Sequence, residues 1–302
     1  MRRGPDRWRV AAVQLEITRP ASFAAWAERI AGCVREAADA GAGLVVFPEY
    51  GLLELTGVLD DAVAADAARA LDAIGTLLPE AYGLFAGLAA RTGVHILAPS
   101  APERGDDGRL RNVARLFTPA GGVGIQEKLM MTRFERDPWW IVGGGPVRVF
   151  DTALGRLGVA ICYDVEFPLI ARAMVEAGAE VILAPSCTDT LAGFHRVRTG
   201  ARARALEGQC VVVHAPTVGL APWSGTLDVN RGAAGVYGPP DDGFPDSGVI
   251  AQGPLDAGHV LVADIDRAAI AQVRADGQVL LRTHWPEQGG GGAPPCEIVR
   301  LA

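Results

Sequence analysis

The chain has 302 residues, of which 49% are hydrophobic and 21% are charged, a composition that excludes intrinsic disorder and supplies a large core. The formal net charge of −7 argues against the basic surface by which proteins bind nucleic acids. The five cysteines lie at irregular intervals without a C-x-x-C pair, which argues against a disulfide framework or zinc site and predicts reduced thiols in the cytoplasm.

The N-terminal arginines lead into a strand-like segment and not into the apolar core of a signal peptide. The longest apolar stretch without charges, about 211–227, is interrupted by His214 and by proline and glycine residues. We therefore expect no membrane-spanning segment, and neither a membrane nor a nucleic acid as a partner.

Strand-like and helix-like segments alternate along nearly the whole chain, beginning with a strand at 8–16. The later predicted elements are a helix at 22–40; a strand at 44–47; helices at 61–74 and 78–91; strands at 94–98, 110–119, 123–128, 147–151 and 156–162; a helix at 167–177; a strand at 180–184; a helix at 189–207; a strand at 209–214; a hairpin strand near 235–237; a strand at 259–265; and a helix from residue 266. The alternation predicts one α/β domain over 1–285, with a mixed sheet and helices on its faces. A Gly/Pro-rich tail, 286–302, is predicted to be a mobile linker.

Cys162 stands at the end of the apolar strand-like run 157–161, just before the start of a predicted helix. A thiol at such a corner lies near backbone N–H groups, and these groups and the helix dipole favour the thiolate, which is the nucleophilic form. Because a cysteine after an apolar strand is commonly a packing residue, this segment alone leaves both interpretations open.

Nucleophilic thiol chemistry also needs a base and a group that stabilises an oxyanion. No histidine stands in a local pattern that marks it as the base, although a Cys–His pair that meets only in space stays open. Glu49 follows a buried strand, where desolvation raises the pKa of a carboxyl group and makes it a better base. Lys128 also follows a strand and can place an ammonium beside an oxyanion. Either residue alone is simply a solvated charge, but the three complementary groups together indicate a catalytic site.

Three blocks of the sequence resemble the signature motifs of the nitrilase superfamily of carbon–nitrogen hydrolases, in the right order and spacing. The blocks are Phe47-Pro48-Glu49, Glu127-Lys128 with Glu135, and Ile161-Cys162-Tyr163-Asp164 with Phe167-Pro168. The resemblance covers about 8–272, and 131–140 and 187–196 are most similar to an amidase-like bacterial branch. It implies an α-β-β-α sandwich and a Glu-Lys-Cys triad that needs neither a metal nor another cofactor.

The resemblance also implies a role for each residue of the site. Glu49 is the general base that takes the proton of Cys162 and later activates water. Cys162 attacks the carbon of an amide or nitrile, which gives a thioester or thioimidate. Lys128 and the backbone N–H of Tyr163 stabilise the oxyanion, and Glu135 lies near the lysine and helps to orient the substrate.

The candidate substrate-binding residues are Tyr163, Trp139, Trp140, Glu166, Thr188 and Asp189. The two tryptophans either line the acyl pocket or form a packed aromatic corner. Many family members carry arginine where this chain has Glu166. With Glu135 and Asp189 also near the mouth of the pocket, we expect a neutral or cationic substrate and not an anionic one.

The resemblance implies a homodimer built through the helices near 167–177 and 189–207. On the second helix, Arg204 and Glu207 either pair with each other or belong to the dimer face. Cys187 lacks the sequence context of Cys162 and is interpreted as a packed or pocket-edge thiol. The leading function is an amidase, and the alternatives are a nitrilase and a non-catalytic binding or scaffold protein that retains the fold.

Overall fold

The computed structural model describes residues 5–289 and 296–300. Its strands are β1 Arg7–Glu16, β2 Ala42–Val46, β3 His95–Leu97, β4 Ala101–Arg104, β5 Leu110–Phe117, β6 Val123–Glu127, β7 Val149–Thr152, β8 Gly155–Val159, β9 Val181–Ser186, β10 Val211–Leu220, β11 Val229–Asn230, β12 Gly235–Tyr237, β13 Val249–Gln252 and β14 His259–Asp266. Its α-helices are α1 Phe23–Asp39, α2 Asp61–Ala64, α3 Ala67–Ala73, α4 Leu78–Thr92, α5 Arg133–Arg136, α6 Pro168–Glu176, α7 Leu191–Gly208, α8 Arg267–Asp276 and α9 Leu281–His284. Short 3₁₀ helices span Gly51–Val58, Ile74–Thr76, Cys162–Glu166 and Trp285–Gln288.

The strands form a continuous, curled sheet in the order β4-β5-β3-β2-β1-β10-β9-β8-β7. Strand β1 joins the two halves, because it pairs with β2 and β14 along its length and with β10 only at its C-terminal end, where Leu15 lies opposite Thr217. Strand β6 extends the first half beyond β5, while β11 and β12 pair with β10. The alternating strand β5 pairs antiparallel with β3, β4 and β6, as its pattern predicts.

Two apolar cores separate the layers of the molecule. Alternate residues of β1 point to opposite faces, so Ala11 and Val13 pack in the core that contains α1 and α4. Val10 and Ala12 pack in the other core, which contains the strands of the second half together with α6 and α7. The predicted α-β-β-α sandwich is therefore confirmed.

Most predicted elements are present, with one broken helix and several short additions. The predicted helix 61–74 is two helices, because the carboxylate of Asp66 accepts a hydrogen bond from Arg69 N and starts α3 separately from α2. The sequence analysis missed β4, β11, β13 and the four-residue helices α5 and α9. The predicted tail at 286–302 begins within a 3₁₀ helix and lies partly outside the described residues.

Among the helices of the described residues, none is long and apolar enough by itself to cross a membrane. One pair of helical segments, Ala67–Thr76 and Leu78–Thr92, is together long and apolar enough to cross a membrane, but its two parts bend by 56° relative to each other.

Glu54 fixes the 3₁₀ turn that follows the first signature block. Its buried carboxylate accepts hydrogen bonds from the backbone N–H of Thr18 at 2.6 Å and from the Thr18 hydroxyl at 3.0 Å. Arg29 on α1 forms an ion pair with the same group. The turn is thus tied both to the end of β1 and to the outer helix.

We expect Glu54→Gln to lower the free energy of unfolding by about 2 kcal/mol, because it replaces charge-assisted hydrogen bonds at a buried position with neutral ones. Equilibrium urea unfolding measures this difference. The exposed Glu36→Gln on α1 is the matched control and should change stability by less than about 0.5 kcal/mol. Equal stabilities of the two variants would contradict the assigned role.

Candidate active site

Four chain segments that leave strands converge on one buried cluster. Glu49 follows β2, Lys128 follows β6, Cys162 follows β8 and Cys187 follows β9. The side chains of Glu49 and Lys128 are each 1% exposed. The sequence places these groups at strand ends, and the curl of the sheet brings the ends together.

The ammonium of Lys128 lies between two carboxylates. It donates to Oε1 of Glu49 at 2.7 Å and to both carboxylate oxygens of Glu135 at 2.8 Å. Burial lowers the pKa of a lysine, but the two negative charges outweigh this effect and hold the pKa of Lys128 well above its usual value. Lys128 therefore remains a cation throughout the neutral range.

Glu135 is held in the ionised form by several hydrogen bonds. It accepts from the Tyr50 hydroxyl at 2.6 Å and from the backbone N–H and hydroxyl of Thr132 at 2.8 and 2.9 Å. Burial opposes ionisation, but the charge of Lys128 and these hydrogen bonds lower the pKa of Glu135 below its usual value. The sequence analysis did not identify Tyr50 or Thr132 as residues of the site. Adjacency to Glu49 is the only sequence signal for Tyr50.

Glu49 has fewer stabilising partners and a different protonation behaviour. Its Oε1 also accepts from Nδ2 of Asn112 at 2.9 Å, and its Oε2 accepts from the backbone N–H of Cys187 at 2.9 Å. Burial raises the pKa of Glu49 to about 7, an effect that Lys128 opposes and the negative charge of Glu135 reinforces. The expectation that desolvation raises the pKa of Glu49 is confirmed.

Cys162 begins the 3₁₀ helix 162–166 with a φ angle of 48°, which lies in the left-handed region that side chains other than glycine seldom adopt. Its Sγ is 3.7 Å from the carbonyl oxygen of Cys187, to which the thiol donates. Burial and the negative charge of Glu49 raise the pKa of Cys162 well above its usual value. The expectation that the helix start favours the thiolate is wrong, because desolvation and a neighbouring carboxylate outweigh the backbone dipoles.

The peptide groups of Cys187 contact both Glu49 and Cys162. The backbone N–H binds the carboxylate of Glu49, and the carbonyl accepts from the thiol of Cys162. The Cys187 side chain is half-buried, with Sγ 3.5 Å from Oδ1 of Asn230. Of the two interpretations, packed or pocket-edge thiol, the packing of Cys187 against the core that contains α1 and α4 supports the first, while the hydrogen bonds of its backbone carry no sequence signal.

The aromatic candidates separate into buried and exposed residues. Trp139 is buried and packs edge-to-face on Tyr50, with 5.4 Å between ring centroids. Trp140 is 74% exposed and so is not part of the buried cluster. Tyr163 is half-buried and packs edge-to-face on Phe167 at 4.8 Å.

The remaining substrate-side candidates lie at the periphery. Thr188 donates its hydroxyl proton to the carbonyl of Arg231 at 2.8 Å, and Asp189 is exposed. Glu166 is half-buried and lies 3.8 Å from Arg196. The expectation that Glu135 lies near the mouth is wrong, because this residue is buried against Lys128. Of the three acidic residues expected at the mouth of the pocket, only Asp189 and Glu166 still argue against an anionic substrate. The charge of Glu166 is partly neutralised by Arg196.

The histidines lie elsewhere. Nε2 of His214 is 2.6 Å from the hydroxyl of Ser186, and Nδ1 of His95 is 3.3 Å from the carbonyl of Gly43. No hydrogen bond between the described residues joins a histidine to Cys162, so the geometry does not support a Cys–His arrangement. Within 5–289 and 296–300, no group of three or more His, Cys, Asp or Glu residues is arranged to bind a metal ion.

Comparison with known sequences identifies a family model and several relatives that match this chain. The family model described as carbon-nitrogen hydrolase matches residues 9–275. A probable hydrolase, YhcX of Bacillus subtilis, is 32% identical over 271 residues; the match covers 90% of this chain and 52% of YhcX, so the chain spans about half of that protein's length. A bifunctional nitrilase/nitrile hydratase, NIT4B of Nicotiana tabacum, is 32% identical over 292 residues, which cover 86% of this chain and 78% of that protein.

Solved structures share the fold at low sequence identity. Nit3 of Saccharomyces cerevisiae, a member of branch 10 of the nitrilase superfamily, superposes with a TM-score of 0.71 at 20% identity, covering 91% of this chain and 96% of Nit3. An amidase from Nesterenkonia sp. superposes with a TM-score of 0.64 at 24% identity, covering 92% and 96% of the two chains. Since the family model spans most of the chain, the protein belongs to the carbon–nitrogen hydrolase family of the nitrilase superfamily.

Proposed function

We propose that the protein is an amidase that hydrolyses a non-peptide carbon–nitrogen bond of a small molecule through an acyl-enzyme on Cys162. The observation that carries this proposal is the buried ion cluster, in which Lys128 contacts both Glu49 and Glu135 at 2.7–2.8 Å. A fixed cation beside a thiol and a base with a pKa near 7 is an arrangement suited to acyl transfer.

In the first half-reaction, Glu49 removes the proton of the Cys162 thiol as the sulfur attacks the amide carbon. A C–S bond forms, and the π electrons of the carbonyl move to its oxygen. The ammonium of Lys128 and the backbone N–H of Tyr163 stabilise this oxyanion. Glu49 then gives its proton to the nitrogen, the C–N bond breaks, and ammonia or an amine leaves a thioester on Cys162.

The raised pKa of the free thiol is compatible with this step. A thiolate that forms before the attack on substrate is unfavourable next to the carboxylate of Glu49. The proton of the thiol therefore moves only when the substrate carbonyl can take up the negative charge. The charge then lies on an oxygen beside Lys128 and no longer on the sulfur. The site therefore stabilises the transition state more than a resting thiolate.

The second half-reaction uses the same base. Glu49 accepts a proton from water as the water oxygen attacks the thioester carbon. The C–S bond breaks, the proton returns to the sulfur of Cys162, and a carboxylic acid leaves. One carboxyl group with a pKa near 7 can serve both steps, because it is a competent base and a competent acid near neutral pH.

A nitrilase is the second candidate, favoured by the nitrilase relatives among the comparisons. The same thiol would attack a nitrile carbon, and the covalent intermediate would be a thioimidate, which water then hydrolyses. The two activities use the same residues, so substrate and product analysis must separate them.

We also propose that the protein forms a homodimer through α6 and α7. An open groove of about 450 Å³ runs beside α7 and is lined by Glu166, His195, Thr199 and Ala203, among others. Leu169 on α6 and Leu206 on α7 also have exposed apolar side chains. Exposed helices that combine polar, small and apolar residues are suited to pairing with a second copy of the same face.

We expect wild-type protein to release ammonia from at least one member of a panel of small amides, ureides and nitriles, and Cys162→Ala to release none. The substitution removes the nucleophile but changes little packing volume. Cys210→Ala, which removes another buried thiol of the same core and lies outside the ion cluster, is the matched control and should keep at least half of the activity.

Each result of this panel has one interpretation. Amide turnover supports the amidase, and acid formed directly from nitriles with little amide turnover supports the nitrilase. Equal activity of Cys162→Ala and wild type would overturn the mechanism. No turnover by wild type, together with equal alkylation rates at Cys162 and the other thiols, would support a non-catalytic scaffold.

We expect kcat/KM to rise with pH to a plateau, with its midpoint near pH 7. Glu49 accepts a proton only when it is ionised, and its pKa is about 7. The amide of the Glu49→Gln variant cannot accept a proton, so this variant should have a kcat/KM at least 100-fold lower, and its kcat/KM should no longer rise with pH near 7. A wild-type profile that is flat between pH 6 and 8 would contradict the role of Glu49 as the base.

We expect sedimentation equilibrium to give twice the 31.6 kDa mass of one chain. Thr199→Arg adds a bulky charge to the exposed groove and should shift the mass to that of one chain. Glu36→Arg, on the exposed face of α1, is the control and should stay dimeric. A monomeric wild type would refute the dimer.

A further inference from the structure

Asp164 is a fully buried carboxyl group outside the ion cluster, and the proposed chemistry does not use it. It lies in the 3₁₀ helix that begins at Cys162. Its hydrogen bonds reach two separate backbone segments, one that continues from Lys128 and one that leads into Cys162.

The contacts of Asp164 are all with backbone N–H groups. Its Oδ1 accepts from Met130 at 2.7 Å and from Leu129 at 3.1 Å. Its Oδ2 accepts from Ile161 at 3.1 Å. The Asp164 backbone N–H also donates to the carbonyl of Ile161 at 3.0 Å, which closes the turn at the nucleophile. One side chain therefore holds the residue after Lys128 and the residue before Cys162.

The sheet itself does not join these two segments directly. Lys128 follows β6, whose ladder is with β5, whereas Cys162 follows β8, which pairs with β7 and β9. Six strands lie between β6 and β8 in the sheet order: β5, β3, β2, β1, β10 and β9. The backbone N–H of Gly144, in the loop before β7, donates to the carbonyl of Lys128 at 2.8 Å, but the bonds of Asp164 join the segment after Lys128 directly to the turn at Cys162.

The local backbone also needs support. The left-handed conformation of Cys162 is one that most side chains disfavour, and it persists only where neighbouring contacts hold it. The bonds from Asp164 to Ile161 close the turn on one side of Cys162. On the other segment, Lys128 is tied through its backbone N–H to the carbonyl of Asn112 at 2.8 Å.

We propose that Asp164 is a positioning residue that sets the separation between the ammonium of Lys128 and the thiol of Cys162. It does so through the peptide groups next to each residue and touches neither reacting group. The proposal deepens the proposed function, on which its kinetic test rests. A misplacement of about 1 Å between reacting groups can cost about 100-fold in rate, so a residue of this kind acts mainly on kcat.

The test compares Asp164→Asn with wild type. Asparagine has the same shape but presents an NH₂ group to backbone donors, so at least one of the two segments loses its acceptor. We expect kcat to fall 10–100-fold while KM changes by less than threefold. Alkylation of Cys162 by iodoacetamide, followed by peptide mass spectrometry, should slow about tenfold because Lys128 no longer lies in place to stabilise the forming thiolate.

Glu54→Gln is the matched control. Glu54 is also a fully buried carboxylate in a 3₁₀ turn that accepts from a backbone N–H, but its partners are Thr18 and Arg29. We expect this variant to lose stability while kcat and the Cys162 alkylation rate stay within twofold of wild type. The comparison separates positioning from a general loss of stability, which both variants share.

The proposal is overturned if Asp164→Asn keeps kcat and the alkylation rate within twofold of wild type, or if Glu54→Gln loses as much of both. If Asp164→Asn does not fold, Asp164→Ser, which is smaller and retains one acceptor oxygen, carries the same expectations. If wild type turns over no substrate, the proposed function fails, and the alkylation rates alone decide the role of Asp164.

Discussion

The site depends on one buried cation. The ammonium of Lys128 is out of contact with water, and removing both of its carboxylate partners would leave an uncompensated charge that costs several kcal/mol. Glu49 and Glu135 together fix the position of this cation. The cluster therefore ties the end of β2 to the end of β6 and the short helix α5, although Glu49 lies 79 residues before Lys128.

Two chemically identical groups acquire different properties around this cation. The cluster has two carboxylates for one ammonium, so one negative charge is only partly compensated. Tyr50 and Thr132 supply hydrogen bonds to Glu135 and keep it ionised, whereas Glu49 has a side-chain amide and a peptide N–H. The less stabilised carboxyl group is the one that holds a proton near neutral pH.

Periodicity and side-chain type predict an α/β fold with helices on the faces of a mixed sheet, and they mark Glu49, Lys128 and Cys162 as complementary groups at strand ends. The layered sandwich and the triad follow only from the family resemblance. The sequence could not reveal the backbone groups of Cys187 or the bonds of Asp164, since a peptide group looks the same at every position. The thiolate at Cys162 was wrongly predicted because burial is a property of the assembled molecule. Likewise, the sequence places Trp139 and Trp140 together, while the fold buries one and exposes the other.

The peptide of Cys187 has an evolutionary consequence. Glu49 and Cys162 are both hydrogen-bonded to its main chain, so a change of side chain at position 187 removes neither contact. Most replacements retain the N–H and the carbonyl, with proline the exception. Position 187 can therefore vary by drift while Glu49 and Cys162 keep these contacts, which makes it a natural starting point for directed evolution.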